Sequence, residues 1–321
     1  MDHIPFIDRL QLEQLLSYEQ LISALKTGFC KDYKVPLRQH LDYKNPGEGV
    51  DSTLLLMPAW KSSEHLGVKI VTVSPNNGKH ELPAVQGTYI LFDATTGTPL
   101  AFMEAKTLTC RRTAAASALA ASYLARPDSE TLLMIGTGAM APELIKAHAT
   151  IRPIKKVYIW GRNFEKAKKI QTTLKGYALS CEAIVSLSEV IPKADIISCA
   201  TLSNEPIIPG KLLVKGQHVD LVGSFKPDMR EADDEVLKRA SIFVDILEGA
   251  TKESGDLVIP LREEIITMKD IKGDLFSLCR NKIQGRISPN EITCFKSVGY
   301  ALEDLVAAQL VYKTLSSIKT N

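Results

Sequence analysis

Residues 132–141, LLMIGTGAMA, constrain this chain more than any other stretch. A short apolar run stops at Gly136-Thr137-Gly138, and a helical pattern begins at once with Met140. Strand, glycine turn and helix in that order make the G-x-G-x-x-A form of the dinucleotide fingerprint. Gly136 permits a tight turn, Gly138 lets a pyrophosphate approach the backbone, and Ala141 lets the helix pack closely on the strand. The first-turn N–H groups and the positive end of the helix then face the phosphates. A glycine turn of purely structural use is the competing reading; the flanking strand and helix favour the nucleotide.

The pattern continues downstream. After Pro127 short apolar runs alternate with helical stretches: 131–135, a helix over 140–151, 156–160, a helix over 164–174, then strands at 196–200, 218–222 and 242–245. Alternation of this kind predicts a parallel sheet covered by helices on both faces, an α/β doubly wound Rossmann-like domain. The second strand ends in Trp160-Gly161-Arg162-Asn163. It offers no acid for a ribose 2′-hydroxyl and supplies an arginine, which suits a 2′-phosphate. The expected cofactor is therefore NADPH, with NADH the weaker alternative. A solvated cation at a helix start is the plainer reading of Arg162.

The first part of the chain reads differently. Apolar residues recur at helical spacing over 10–29, with Ser17 as N-cap and Gln20 completing a capping box. Short β-rich runs follow at 52–58, 65–73, 85–92 and 100–104, separated by turn chemistry at 76–78 and 93–98, which predicts an antiparallel or mixed sheet. Residues 107–124 read as an Ala-rich helix ended by Pro127. A last helix is predicted over 297–315. Its periodicity does not decide whether it closes the nucleotide domain or returns to the first one. The 321 residues, at roughly 150 per domain, suggest about two domains.

Charge and cysteine usage exclude other classes. Lys plus Arg number 39 against 37 for Asp plus Glu, so there is no basic excess for nucleic acid. Six scattered cysteines without a C-x-x-C pair suggest a reducing cytoplasm, and no histidine spacing suggests a metal site. No signal-peptide pattern is read at Met1-Asp2-His3-Ile4-Pro5, and no apolar run reaches the ~18 residues of a membrane span.

Three basic features remain: Arg38 before the strands, Lys69 inside the apolar run GVKIV, and the pair Arg111-Arg112 at the head of the Ala-rich helix. A cation in an apolar strand costs desolvation energy unless it is paired or solvated. Three unrelated surface cations are the bland reading; together they make a clamp for a small carboxylate.

The motifs GVKIV, TLTCRRTAAASALAA, IGTGAMA, WGRN, CATLSNEP, GSFKPDMRE and KSVGYALEDL, in this order, resemble the ornithine cyclodeaminase/mu-crystallin family along nearly the whole chain. The resemblance implies a homodimer with a discontinuous substrate and dimerisation domain, residues 1–124 plus 300–321, and an inserted dinucleotide domain, 125–299. It implies Lys69 and Arg112 as catalytic residues and Arg38, Met57, Lys69, Gln86, Arg112 and Phe225 as substrate-binding ones. Gly136, Thr137, Gly138, Ala139 and Met140 would form the pyrophosphate loop, and Arg162 and Asn163 the adenosine-ribose end. Ala200, Thr201 and Leu202 would pass beside the cofactor, with Val222, Ser297 and Gly299 near the nicotinamide.

Departures from the family pattern choose among its members. Ornithine cyclodeaminases carry an acid where this chain has Phe225, which cannot exchange protons. GSFKPDMRE and HELPAVQG are similar to the ketimine reductase branch, although a Thr is often seen at the position of Ala84. The expected activity is NADPH-dependent reduction of Δ1-pyrroline-2-carboxylate or Δ1-piperideine-2-carboxylate to L-proline or L-pipecolate. Ornithine cyclodeaminase, an alanine dehydrogenase-like enzyme and a non-catalytic NADPH-dependent binder are the rivals. Ring size and the proton donor to the imine nitrogen stay open at this point.

Overall fold

A computed structural model describes residues 4–320, so Met1, Asp2 and His3 of the expected leaderless N-terminus lie outside the described residues. The elements run β1 (Phe6–Ile7), α1 (Arg9–Leu15), α2 (Tyr18–Cys30), β2 (Gln39–Tyr43), β3 (Ser52–Trp60), β4 (His65–Val73), β5 (Val85–Asp93), β6 (Pro99–Glu104) and α3 (Ala105–Leu124). They continue with β7 (Thr131–Ile135), α4 (Met140–Ile151), β8 (Lys156–Trp160), α5 (Phe164–Thr173), β9 (Ser180–Ala183), β10 (Ile196–Cys199), β11 (His218–Leu221), α6 (Asp234–Arg239) and β12 (Ser241–Val244). The chain ends with α7 (Leu247–Glu253), α8 (Gly255–Arg262), β13 (Ile271–Asp274), α9 (Leu275–Cys279), β14 (Thr293–Lys296) and α10 (Ala301–Thr320).

Two compact units emerge. One takes the chain as far as Arg112 and resumes at Ala301; the other is Thr113–Tyr300. The division falls inside α3 rather than at its end, because the first turns of α3 bond to elements of the first unit. Arg111 donates to the carbonyls of Leu16 and Glu13, and Arg112 donates to Glu303 and Asp304.

In the first unit, six strands among the described residues pair in the order β1-β6-β5-β4-β3-β2. Neighbours run antiparallel except for β1 beside β6, so the sheet is mixed. Alternation along the strands buries Met57, Ala59, Tyr89, Leu91, Ala101 and Met103 on one face. The last helix, α10, packs on β3, β4 and α2 through a stripe that includes Leu302, Leu305, Val306 and Ala308. The Ser17 hydroxyl accepts the amide of Gln20 at 3.3 Å as an N-cap. The reciprocal capping box forms one helix earlier, between Asp8 and Gln11.

The second unit holds a sheet in which eight described strands all run parallel, in the order β13-β12-β14-β11-β10-β7-β8-β9. Its strands β10, β11 and β14 are buried on both faces, as helices on either side demand. From β9 to β11 the order is that of a Rossmann sheet, with the switch point between β7 and β10. Beyond β11 the last strand of the unit, β14, is inserted before β12. Residues 297–300 do not join the last helix as predicted. Asp245 takes the Ser297 hydroxyl at 3.1 Å and the amides of Val298 and Gly299 at 2.7 Å each, and Gly299 adopts φ +84°. These bonds hold an extended turn, so α10 begins at Ala301 and runs on to Thr320. Among the described residues no helix is long and apolar enough to cross a membrane.

Candidate functional site

Lys69 occupies the centre of β4, with Met57 on β3 and Tyr89 on β5 directly across from it. All three project onto the buried face of the sheet, and Lys69 is only 3% exposed. Its Nζ donates to Asp304 Oδ2 at 2.7 Å. Arg112, on α3, donates from Nε to Asp304 Oδ1 at 3.0 Å and from Nη1 to Glu303 Oε2 at 2.6 Å. Both acids are fully buried in the first turn of α10. Two cations singled out in the sequence are thus drawn together by two acids that were not. Glu303 and Asp304 had a visible signal, an acidic pair inside the KSVGYALEDL motif, but nothing local linked them to cations near 69 and 112.

The electrostatics follow from burial. Removing Lys69 from water pushes its pKa down to about 8; Asp304 opposes that shift, while Arg112 and Arg38 reinforce it. Burial alone would raise Asp304, yet Arg112 and Lys69 hold it below the usual carboxylate value. Burial likewise works against the charge of Arg112, and Asp304 and Glu303 more than compensate, so its pKa is raised. The cluster stays ionised because its charges are mutually paired. Donors are left over: among the described residues Arg112 uses Nε and Nη1, and Lys69 uses one N–H, which leaves Nη2 and two ammonium protons. Arg111 plays a different part, its guanidinium lying 5.1 Å from the ring centroid of Tyr18.

Other expected substrate residues are less closely grouped. Arg38 is half-buried and close enough for its charge to act on Lys69. Gln86 pairs with Thr72, three positions along each strand from the Lys69–Tyr89 pair, so the pleat sends it to the opposite face of the sheet. Phe225 belongs to the second unit, where it is 44% exposed on the loop 225–228.

In the second unit the strand register gathers the expected cofactor residues on one edge. Ile135, Cys199, Leu221, Lys296 and Val244 lie side by side at the C-terminal ends of their strands. The segments that follow, 136–140, 200–202, 222–224 and 297–299, therefore all leave the sheet at its carboxyl edge, where open α/β sheets bind ligands. Gly136 has φ +113°, and a Cβ there would stand 2.4 Å from the Ala200 carbonyl oxygen, so only glycine fits. A Cβ on Gly138 would meet nothing within 4 Å. The helix after the turn has Ala139 as its N-cap and no side chain capping its first amides. An uncapped N-terminus, open space above Gly138 and a turn only glycine can make all fit a pyrophosphate. Arg162 is exposed and has no protein partner among the described residues. Asn163 spends its side-chain oxygen on the Lys166 amide at 3.1 Å, capping α5. Leu202 is 73% exposed, whereas Ser297 is buried.

The sequence reading overlooked the acids behind this edge. Asp245 holds 297–299, and Glu231, Asp256 and Lys296 form a fully buried group, with Lys296 Nζ 3.1 Å from Asp256 Oδ2. Glu231 ends the GSFKPDMRE segment and Lys296 opens KSVGYALEDL, so both lie inside family motifs whose local pattern does not link them.

The profile of the ornithine cyclodeaminase/mu-crystallin family matches residues 6–319. The Δ1-pyrroline-2-carboxylate reductase of Colwellia psychrerythraea is 38% identical over 95% of this chain and 98% of its own. Among solved structures, the Thermococcus litoralis Δ1-pyrroline-2-carboxylate reductase in complex with NADH and L-proline superposes with a TM-score of 0.92 at 34% identity, covering 98% of each chain. An archaeal alanine dehydrogenase dimer with bound NAD gives 0.90 at 28% identity, over 98% of this chain and 97% of that one.

If Asp304 is what keeps Lys69 and Arg112 charged, Asp304→Asn leaves buried cations short of a counter-charge. Urea unfolding should then show a loss of about 3–5 kcal/mol. A loss under about 1 kcal/mol, the range of an exposed ion pair, would show that the cluster is not held this way.

Proposed function

The chain belongs to the ornithine cyclodeaminase/mu-crystallin family, and from that premise we propose that it is an NADPH-dependent reductase of cyclic imino acids. Its substrates would be Δ1-pyrroline-2-carboxylate, Δ1-piperideine-2-carboxylate or both, and its products L-proline and L-pipecolate. The observation that carries this reading is the Lys69–Asp304–Arg112 cluster with its unspent donors. Lys69 and Arg112 are balanced by Asp304 and Glu303, and the donors those two cations leave over match one substrate carboxylate. Arg112 Nη2 and Lys69 Nζ are the groups proposed to bind it, and fixing the carboxylate orients the ring, which supplies much of the rate enhancement. When bound, the reduced nicotinamide supplies the hydride for C2 of the imine.

The imine nitrogen must be protonated before or during that transfer. Lys69, with a pKa near 8 and protons to spare, is the proposed donor. Phe225 stands where cyclodeaminases carry an acid, and an apolar side chain suits an imine ring better than a diamine. The preference for NADPH rests on Arg162, which has no protein partner among the described residues. The proposed roles of the two units follow: the first binds substrate and the second binds the dinucleotide. A homodimer is supported by β2, an edge strand exposed along its whole length, with Leu41 and Tyr43 48% and 45% exposed. The similar archaeal alanine dehydrogenase is a dimer.

The direct test is to supply NADPH with each cyclic imino acid and, separately, to supply ornithine. Loss of reduced-nicotinamide absorbance is expected with the imines only, and Arg112→Ala should cut kcat/KM at least about a hundredfold, the cost of a charge-assisted contact. Ammonia released from ornithine would replace this reading with the cyclodeaminase one. Arg162→Ala should raise KM for NADPH about tenfold or more and leave NADH nearly unaffected, since only the 2′-phosphate partner is lost. Equal losses for both cofactors would remove the argument for NADPH.

The pH dependence has a definite sign. Lys69 must be protonated to bind and to donate, so kcat/KM should hold below pH 8 and fall above it. Lys69→Arg, which cannot deprotonate in this range, should have lower activity but no alkaline limb. A limb that persists unchanged in that variant belongs to some other group.

A further inference from the structure

Glu231 is fully buried, and its two oxygens serve two different loops at the carboxyl edge of the parallel sheet. Oε1 accepts the amide of Thr201 at 2.7 Å and the Thr201 hydroxyl at 3.0 Å. Oε2 accepts the amide of Gly223 at 2.7 Å and that of Ser224 at 3.3 Å. The two loops meet back to back at this carboxylate. A Cβ on Gly223 would stand 2.0 Å from the Thr201 carbonyl oxygen and 2.7 Å from Glu231 Oε1. Two neighbours fix Glu231 in turn. Asp256 Oδ1 accepts the backbone amides of Glu231 at 2.7 Å and Ala232 at 3.2 Å, and Lys296 Nζ lies 3.9 Å from Oε2.

The stems of both loops need no such help. Ala200 donates to the Ile135 carbonyl and Val222 to the Cys199 carbonyl, each at 2.8 Å, as extensions of the sheet ladder. Control by Glu231 starts one residue further on, at Thr201 and Gly223, where the ladder has ended. We propose that Glu231 is a positioning residue that locks loops 200–202 and 222–224 together and so sets the backbone beside the nicotinamide. This rests on the dinucleotide reading above. Burial pushes the Glu231 carboxyl up to about 7 against the pull of Lys296, with Asp256 adding to the rise. Lys296 and the donors that converge on the carboxylate work against that rise. The Gly136 turn and Arg162 make no bond to Glu231, so the two ends of the cofactor should respond differently to its loss.

The test uses Glu231→Gln and two ligands, NADPH and 2′-phospho-ADP-ribose, which lacks the nicotinamide. Glutamine keeps one acceptor oxygen and turns an NH2 toward N–H donors, so it can serve one loop but not both. Calorimetry should show NADPH bound about 10- to 100-fold more weakly, the fold-change for losing hydrogen bonds to a charged group, with 2′-phospho-ADP-ribose unchanged within about twofold. Thr201→Val removes a single donor and should show the same split at about threefold. It decides the matter if the first variant does not fold. Equal weakening of both ligands, or no change in either, overturns the positioning role. Wild-type protein that binds neither these ligands nor NADH sinks the dinucleotide reading, and this proposal with it.

Discussion

One carboxylate organises the first unit. Asp304 lies between Lys69 and Arg112, each of them almost fully buried, and these cations come from β4 and from α3. Taking a lysine and an arginine out of water costs several kcal/mol each unless an anion meets them. No acid near either cation in sequence does so; the acids arrive with the last helix. The return of α10 to the first unit is thus an electrostatic requirement as well as a packing one. The leucines of α10 fill the core beside β3, β4 and α2, while its first turn delivers the charges that make the core tolerable. That link between the chain's end and its first hundred residues makes the first unit discontinuous.

The second unit solves a different problem with the same kind of side chain. A parallel sheet buried on both faces ends in a row of carbonyls and amides, and the segments leaving it have no ladder to hold them. Asp245 gathers 297–299, and Glu231 gathers 200–202 and 222–224. The insertion of β14 between β11 and β12 makes both arrangements possible, because it brings Lys296 beside Leu221 and Val244 in register. With the usual Rossmann order continued past β11, the strand carrying Lys296 would not stand there to balance Glu231 and Asp256.

What the sequence revealed and what it hid divide along a physical line. Local grammar was legible: the strand–turn–helix at 131–151, the alternation that followed, the hairpin-linked strands before it, and Lys69 as an anomaly inside an apolar run. Each is carried by residues within about a dozen positions of one another, the range over which periodicity and capping act. The partners of those residues were not legible. Asp304 is 235 positions from Lys69, and Glu231 is 30 from Thr201, and an exposed acid in the first turn of a helix would look the same. The misplaced start of the last helix has the same origin. Residues 297–300 have no local reason to stay extended, and Asp245 supplies one from 52 to 54 positions away. Gln86 shows the limit from the other side: the strand pleat that turns it away from Lys69 depends on a register no motif reports.

The buried acids of the two units also differ in what they leave behind, and that difference bears on chemistry. Glu231 and Asp245 satisfy mostly backbone amides and hydroxyls, which are neutral, and Lys296 balances the charge beside Glu231, so they fix geometry. Asp304 and Glu303 meet full charges, and the donors left unspent in this cluster belong to the cations Lys69 and Arg112. Unspent N–H groups on buried cations favour an anion, because a carboxylate that enters completes their hydrogen bonds. Burial lowers the pKa of Lys69, with Arg112 and Arg38 adding to the shift against Asp304, so the setting that would hold the substrate also loosens the proton that reduction of an imine requires.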